Sequence, residues 1–151
     1  MSKIFIGADH RGFEDKEALK QHLVTAGHEV VDHGAHEHNP RDDYPDFAYP
    51  VAKAVAEEPG SFGILLCGSG MGMDVVANKV RGVRATVGYS KDAIVHARSH
   101  DDINVLTLAA DELEHDELCA YADVFLTTER DLDERHLRRL EKIKAIEDAL
   151  C

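Results

Sequence analysis

The sequence has no tryptophan, only four prolines and three cysteines, and far fewer basic than acidic residues, 17 against 29. Three cysteines form no paired framework, so each thiol is read singly, as it would stand in a reducing compartment. The net charge of -12 repels phosphate backbones, and no basic stripe interleaved with aromatics is present, so nucleic acid is not an expected partner. Long apolar runs are missing too. Nothing approaches the roughly 20 residues that span a bilayer, and "MSKIFIGADH" lacks the apolar core of a secretory signal, so no membrane partner and a cytoplasmic location are expected. An anionic small molecule remains compatible with this composition if arginines, histidines and backbone N–H groups cluster locally to receive it.

What is present is an ordinary globular composition, 44% hydrophobic and 30% charged, over 151 residues, the size of one domain spanning 1–151. Short apolar β-type runs alternate with amphipathic stretches. The runs are "KIFIGA" from Lys3, "HEVVDHG" from His28, "FGILLC" from Phe62, "RATVGY" from Arg84 and "INVLTLAA" from Ile103. Helical patterns cover 14–26, 46–58, 72–80, 91–99, 114–126 and 133–150, so every crossover carries a helix. This is the α/β pattern of a five-stranded parallel sheet between helical layers, with expected strand order 2-1-3-4-5 and an extra C-terminal helix. That last helix carries Leu137, Leu140, Ile143, Ile146 and Leu150 on one stripe, which needs a surface to dock on; a partner subunit is one candidate.

Ligands of open parallel sheets collect beyond the carboxyl ends of the strands. That rule selects "GADHRGF" at 7–13, "DYPD" at 43–46, "CGSGMG" at 67–72 and, less directly because it follows a helix, "ARSHDDINVL" at 97–106. In "CGSGMG", Gly68, Gly70 and Gly72 permit a turn whose N–H groups receive an anion and favour a thiolate at Cys67, although a small buried cysteine at a strand end explains the same residue. No dinucleotide fingerprint fits, since Met73 occupies its last glycine position, and no Gly-Lys-Ser/Thr triplet occurs. Asp9 and His10 read equally as a polar helix cap, and His100 as a helix-end charge. Arg135 and Arg139, four apart, share a helix face and suit either a phosphate or a solvated charged surface. His33, His36 and His38 lie in a polar loop without cysteine partners or helical spacing, and the metal reading is set aside.

Taken in order, "GADHRGF", "DYPDFA", "GILLCGSGMGM", "ANKV.GVRA", "AR.H.D.NVL" and "RH..R..KI" resemble the ribose 5-phosphate isomerase B family, which includes galactose 6-phosphate and related isomerases. The resemblance covers nearly the whole chain. It implies a Rossmann-like fold, a homodimer (with assembly into tetramers left open) whose active sites form at the subunit interface, and aldose–ketose interconversion with neither metal nor other cofactor. By the same resemblance Cys67 is the base that passes through an enediolate, Ser69 with Gly68, Gly70 and Gly72 stabilises the oxyanion, and His100 and Asp9 open the sugar ring. Tyr44 lines the sugar, Asp101 contacts it, and His10, Arg135 and Arg139 hold the phosphate, some of these from the partner chain. Another branch of the family places a glutamate base where Met73 stands here and lacks the cysteine.

Several positions depart from the family pattern. The arginine common after the fifth strand is replaced by Asp111, Asp101 stands for an asparagine, Asp74 for a serine, and Arg11 for a small residue. Arg11 is expected to restore part of the lost positive charge. Ribose 5-phosphate is the expected substrate; galactose 6-phosphate, allose 6-phosphate or a tetrose phosphate are alternatives, as is a non-catalytic sugar-phosphate-binding module. Cys119 reads as helix core and Cys151 as incidental.

Overall fold

The computed structural model describes residues 1–150; Cys151 lies outside the described residues. Its strands are β1 (Lys3–Ala8), β2 (Glu29–Asp32), β3 (Phe62–Cys67), β4 (Ala85–Val87) and β5 (Val105–Ala109). The helices are α1 (Phe13–Thr25), α2 (Pro45–Glu57), α3 (Met71–Ala77), α4 (Lys91–Asp101), α5 (His115–Thr127) and α6 (Glu134–Ala149).

All strand pairs are parallel, and alternation along each strand divides the core in two. Ile4, Ile6, Ile64, Leu66, Leu106 and Leu108 face Leu19, Leu23, Ile94, Leu118 and Phe125 of α1, α4 and α5. On the other face Phe5, Leu65, Cys67 and Val105 meet Val51, Ala52 and Val55 of α2 and Met73 and Ala77 of α3. Cys119 lies in the first of these cores, and burial pushes its thiol up.

The strand order is 2-1-3-5-4, which corrects the expected 2-1-3-4-5. The reason is burial. All five residues of β5 are buried, whereas the three of β4 are only half-buried, so the strand that is buried on both faces takes the inner position and the short one the edge. The chain passes from β3 through α3 to the edge and returns through α4 to fill the gap, pairing Cys67 with Ala109.

Each crossover helix runs back against its strands, so α4 carries its C-terminus to the end of the sheet where strands begin. There Arg98 stacks its guanidinium 5.0 Å from the ring of Phe62, the first residue of β3. α6 lies across that same end. Its stripe is only partly covered: Ile143, Ile146 and Leu150 are exposed, and a groove of about 890 Å³ runs between Leu137, Leu140 and Ile143 on one side and Ala56, Pro59 and Val83 on the other.

Candidate active site

The candidate residues fall into two groups at opposite ends of the sheet. At the carboxyl end, Ala8 lies beside Leu66 in register, so the loop after β1 and the turn after β3 leave the sheet together. Asp9 is buried, and its Oδ1 accepts from the Arg11 N–H at 3.0 Å. Burial pushes its carboxyl up, against the lowering effect of that hydrogen bond. The His10 ring is held by Asp42: Oδ1 lies 2.7 Å from Nδ1 and also accepts the His10 backbone N–H at 2.9 Å. Asp42 was not singled out by sequence; its only signal is its place beside "DYPD".

Cys67 ends β3, 5% exposed, and its Sγ accepts the Gly70 N–H at 3.1 Å. Gly70 has φ 73°, a left-handed conformation that glycine adopts without strain, and this folds its N–H back onto the sulfur. The Met71 N–H points to Ser69 Oγ at 3.3 Å. Two of the turn's donors are therefore already directed at its own sulfur and hydroxyl. Tyr44 lies across this turn: a Cβ on Gly72 would fall 2.8 Å from the tyrosine ring. Met73 is fully buried in the core, and Asp74, in the first turn of α3, has its carboxyl pushed up by burial.

Arg11 and Asp111 meet over Gly68 as an ion pair, and Asp111 also donates its N–H to the Gly68 carbonyl at 3.0 Å. A Cβ on Gly68 would lie 2.7 Å from Arg11 Nε and 2.6 Å from Asp111 Oδ2, so the pair is seated directly on the turn. The departures at 11 and 111 are thus one unit, in which the carboxylate holds the guanidinium and raises its pKa further. The Arg11 guanidinium stands over the turn already paired with the Asp111 carboxylate.

His100, Asp101, Arg135 and Arg139 lie elsewhere. His100 and Asp101 form the end of α4, and Arg135 and Arg139 stand on the first turns of α6, all at the end of the sheet opposite Cys67. This corrects the expectation that "ARSHDDINVL" converges with the other loops within one chain; a crossover helix antiparallel to its strands delivers its C-terminus to the far end. Arg135 folds back on its own helix cap, with Nε and Nη2 each 3.0 Å from the Asp133 carboxylate, whose pKa this contact lowers to about 2. Arg139 is exposed. His136, between them in sequence, stacks on His100, a contact for which "RH..R" gave no separate signal.

The sequence model of the ribose/galactose isomerase family matches residues 4–143. The chain belongs to that family. Among relatives in the ribose/galactose isomerase family, ribose-5-phosphate isomerase B of Escherichia coli K12 is 39% identical over 147 residues, 97% of each chain. A crystal structure of ribose-5-phosphate isomerase B from Mycoplasma genitalium with bound ribulose-5-phosphate superposes with TM-score 0.92 at 39% identity, covering 97% of this chain and 96% of that one. The type B ribose 5-phosphate isomerase of Trypanosoma cruzi gives TM-score 0.94 at 37% identity, covering 100% and 99%. Among the described residues, no helix is long and apolar enough to cross a membrane.

Proposed function

We propose that this member of the family interconverts ribose 5-phosphate and ribulose 5-phosphate through a cis-enediolate, with Cys67 as base and without a metal or other cofactor. The observation that carries the reading is the Gly70 N–H donating to Cys67 Sγ inside a nearly closed turn, the contact a thiolate accepts. The thiolate takes the C2 proton, the C–H electron pair becomes the C1–C2 double bond and the C1 carbonyl pair moves onto its oxygen; the C2 hydroxyl proton then passes to the C1 oxygen, the pair left on the C2 oxygen forms the new carbonyl, and the double-bond pair takes the proton back from the thiol at C1. Ser69 and the turn's N–H groups other than those of Gly70 and Met71, which are already engaged, stabilise the oxyanion. Ring opening comes first: Asp9, whose raised pKa makes it the stronger base, takes the C1 hydroxyl proton, and His100 gives one to the ring oxygen. Tyr44 lines the sugar, Asp101 contacts its hydroxyls, and His10, oriented by Asp42, binds phosphate with Arg135 and Arg139.

One copy cannot assemble this set, because its two groups lie at opposite ends of the sheet. The reading is therefore a cytoplasmic homodimer in which each active site takes Asp9, His10, Tyr44 and Cys67 from one copy and His100, Asp101, Arg135 and Arg139 from the other. The partly covered α6 stripe supplies apolar surface for such pairing. A second reading, the same chemistry on another sugar phosphate, is favoured by the Asp111 carboxylate over Gly68.

The test is turnover of ribose 5-phosphate, galactose 6-phosphate, allose 6-phosphate and erythrose 4-phosphate in the presence of chelator, with Cys67→Ala in parallel. The expected result is fastest turnover of ribose 5-phosphate and a loss on the order of 10³-fold in kcat for the variant. Turnover of another sugar alone moves the substrate, and undiminished turnover in Cys67→Ala overturns the base.

A further inference from the structure

The group of residues around His100 contains a contact that the isomerase reading does not use. The rings of His100 and His136 stack with centroids 4.1 Å apart and planes 24° from parallel. His136 is 7% exposed. Asp131 Oδ2 lies 3.0 Å from His136 Nδ1 but off the line along which that nitrogen would donate, so the carboxylate acts on the ring through charge, and Nδ1 has no aligned hydrogen bond among the described residues. The segment bearing Asp131 is tied to the end of α4 on both sides of His100. The Asp131 N–H donates to the Ser99 carbonyl at 2.9 Å, and Arg130 reaches Asp102 Oδ2 at 3.1 Å. His96, one turn earlier, meets His100 edge-on at 5.0 Å.

The donor atoms of His100, Asp131 and His136 fall within 4.8 Å of one another, a spacing that suits a metal ion. The stack disfavours that use: an imidazole lone pair lies in its ring plane, and two nearly parallel rings at this separation share no point that both lone pairs reach. What stacking does provide is orientation. A stiff buried ring against one face of a second ring leaves the second few rotamers.

We infer that His136, backed by Asp131, is a positioning residue that holds His100 in the orientation from which it gives its proton to the ring oxygen of the sugar. The inference rests on the isomerase reading. In that step Asp9 takes the C1 hydroxyl proton, the O–H electron pair forms the carbonyl, the C1–ring oxygen bond breaks, and the ring oxygen takes the proton from His100. Cys67 takes no part. His136 therefore matters for a closed sugar and not for one already open.

Two reactions of the full-length protein separate these cases. Isomerisation of ribose 5-phosphate starts from the closed ring, whereas exchange of the C1 hydrogen of ribulose 5-phosphate with solvent deuterium starts from the open ketose and needs only the base. For His136→Ala, kcat on ribose 5-phosphate falls about tenfold or more while deuterium exchange keeps the wild-type rate, which also reports an intact fold. His136→Phe, which retains a stacked ring, recovers most of the lost rate, and Asp131→Asn shows a smaller loss of the same kind. Parallel loss of both reactions in His136→Ala, or loss of neither, overturns the inference. A wild-type protein that neither isomerises nor exchanges removes the isomerase reading itself, and the inference with it.

Discussion

Asp9 carries a conflict between stability and chemistry. Burial raises its folded pKa above its unfolded value, so the folded chain holds the Asp9 proton more tightly, and the associated stability is lost as pH rises through the folded pKa. Asp9→Asn removes that ionisation cost; its melting temperature at pH 7 should rise by about 2–4 °C while kcat falls on the order of 10²-fold, measured by calorimetry and turnover on one preparation. Arg11 and Asp111 give a second prediction at this scale. Because Asp111 holds the guanidinium over Gly68, Arg11→Ala raises KM for the phosphorylated sugar about three- to tenfold, whereas Asp111→Asn releases Arg11 and lowers it. An unchanged KM in Arg11→Ala would show that its charge plays no part in binding. Neither the pairing of these two residues nor the Asp42–His10 contact was readable in sequence, since partners 100 and 32 positions apart leave no local signature.

Among the elements, α1 and β2 are joined by an ionic cluster. Lys16 is fully buried, and its Nζ lies 2.6 Å from Asp32, which Lys20 also reaches at 2.7 Å. Burial alone would push Asp32 up; the hydrogen bonds from Lys16 and Lys20 outweigh it and hold the carboxyl at about 2. A depressed folded pKa gives stability that is present above the unfolded value and lost as pH falls toward about 2. Asp32→Asn should therefore flatten the acid side of the stability–pH curve below about pH 4, and Lys16→Ala should cost about 2 kcal/mol at pH 7 by leaving the carboxylate with Lys20 as its remaining cationic partner, both read by denaturant titration.

Element positions were largely legible because they follow local periodicity. All five strands and six helices occur where the pattern places them, although β4 shrinks to three residues and α4 runs on to include His100. The strand order was not local. It turns on which strand is buried on both faces, and the mainly apolar run of "INVLTLAA", interrupted only by Asn104 and Thr107, was the available clue. The direction of α4 was equally implicit: a helix returning to the start of the next strand cannot leave its end beside Cys67.

At the scale of the whole molecule, the separation of the two residue groups predicts complementation. Cys67→Ala and His100→Ala are each expected to be inactive alone. Mixed after denaturation and refolding, they should regain about a quarter of wild-type activity, since half of the dimers are hybrids with one intact site. Mixing that restores nothing would mean that each site is built within a single copy. Ile146→Asp, on the exposed stripe of α6, should shift the protein toward monomer in light scattering and reduce turnover in proportion.

The late filling of the sheet also has a consequence during synthesis. β4 pairs only with β5, and β3 has β5 as its second neighbour, so a nascent chain that ends before Val105 has an orphan strand and an open flank. The slot beside Cys67 closes only when Ala109 has left the ribosome, after both neighbouring strands have already been made, and the thiol's second flank is covered well after its own strand emerges.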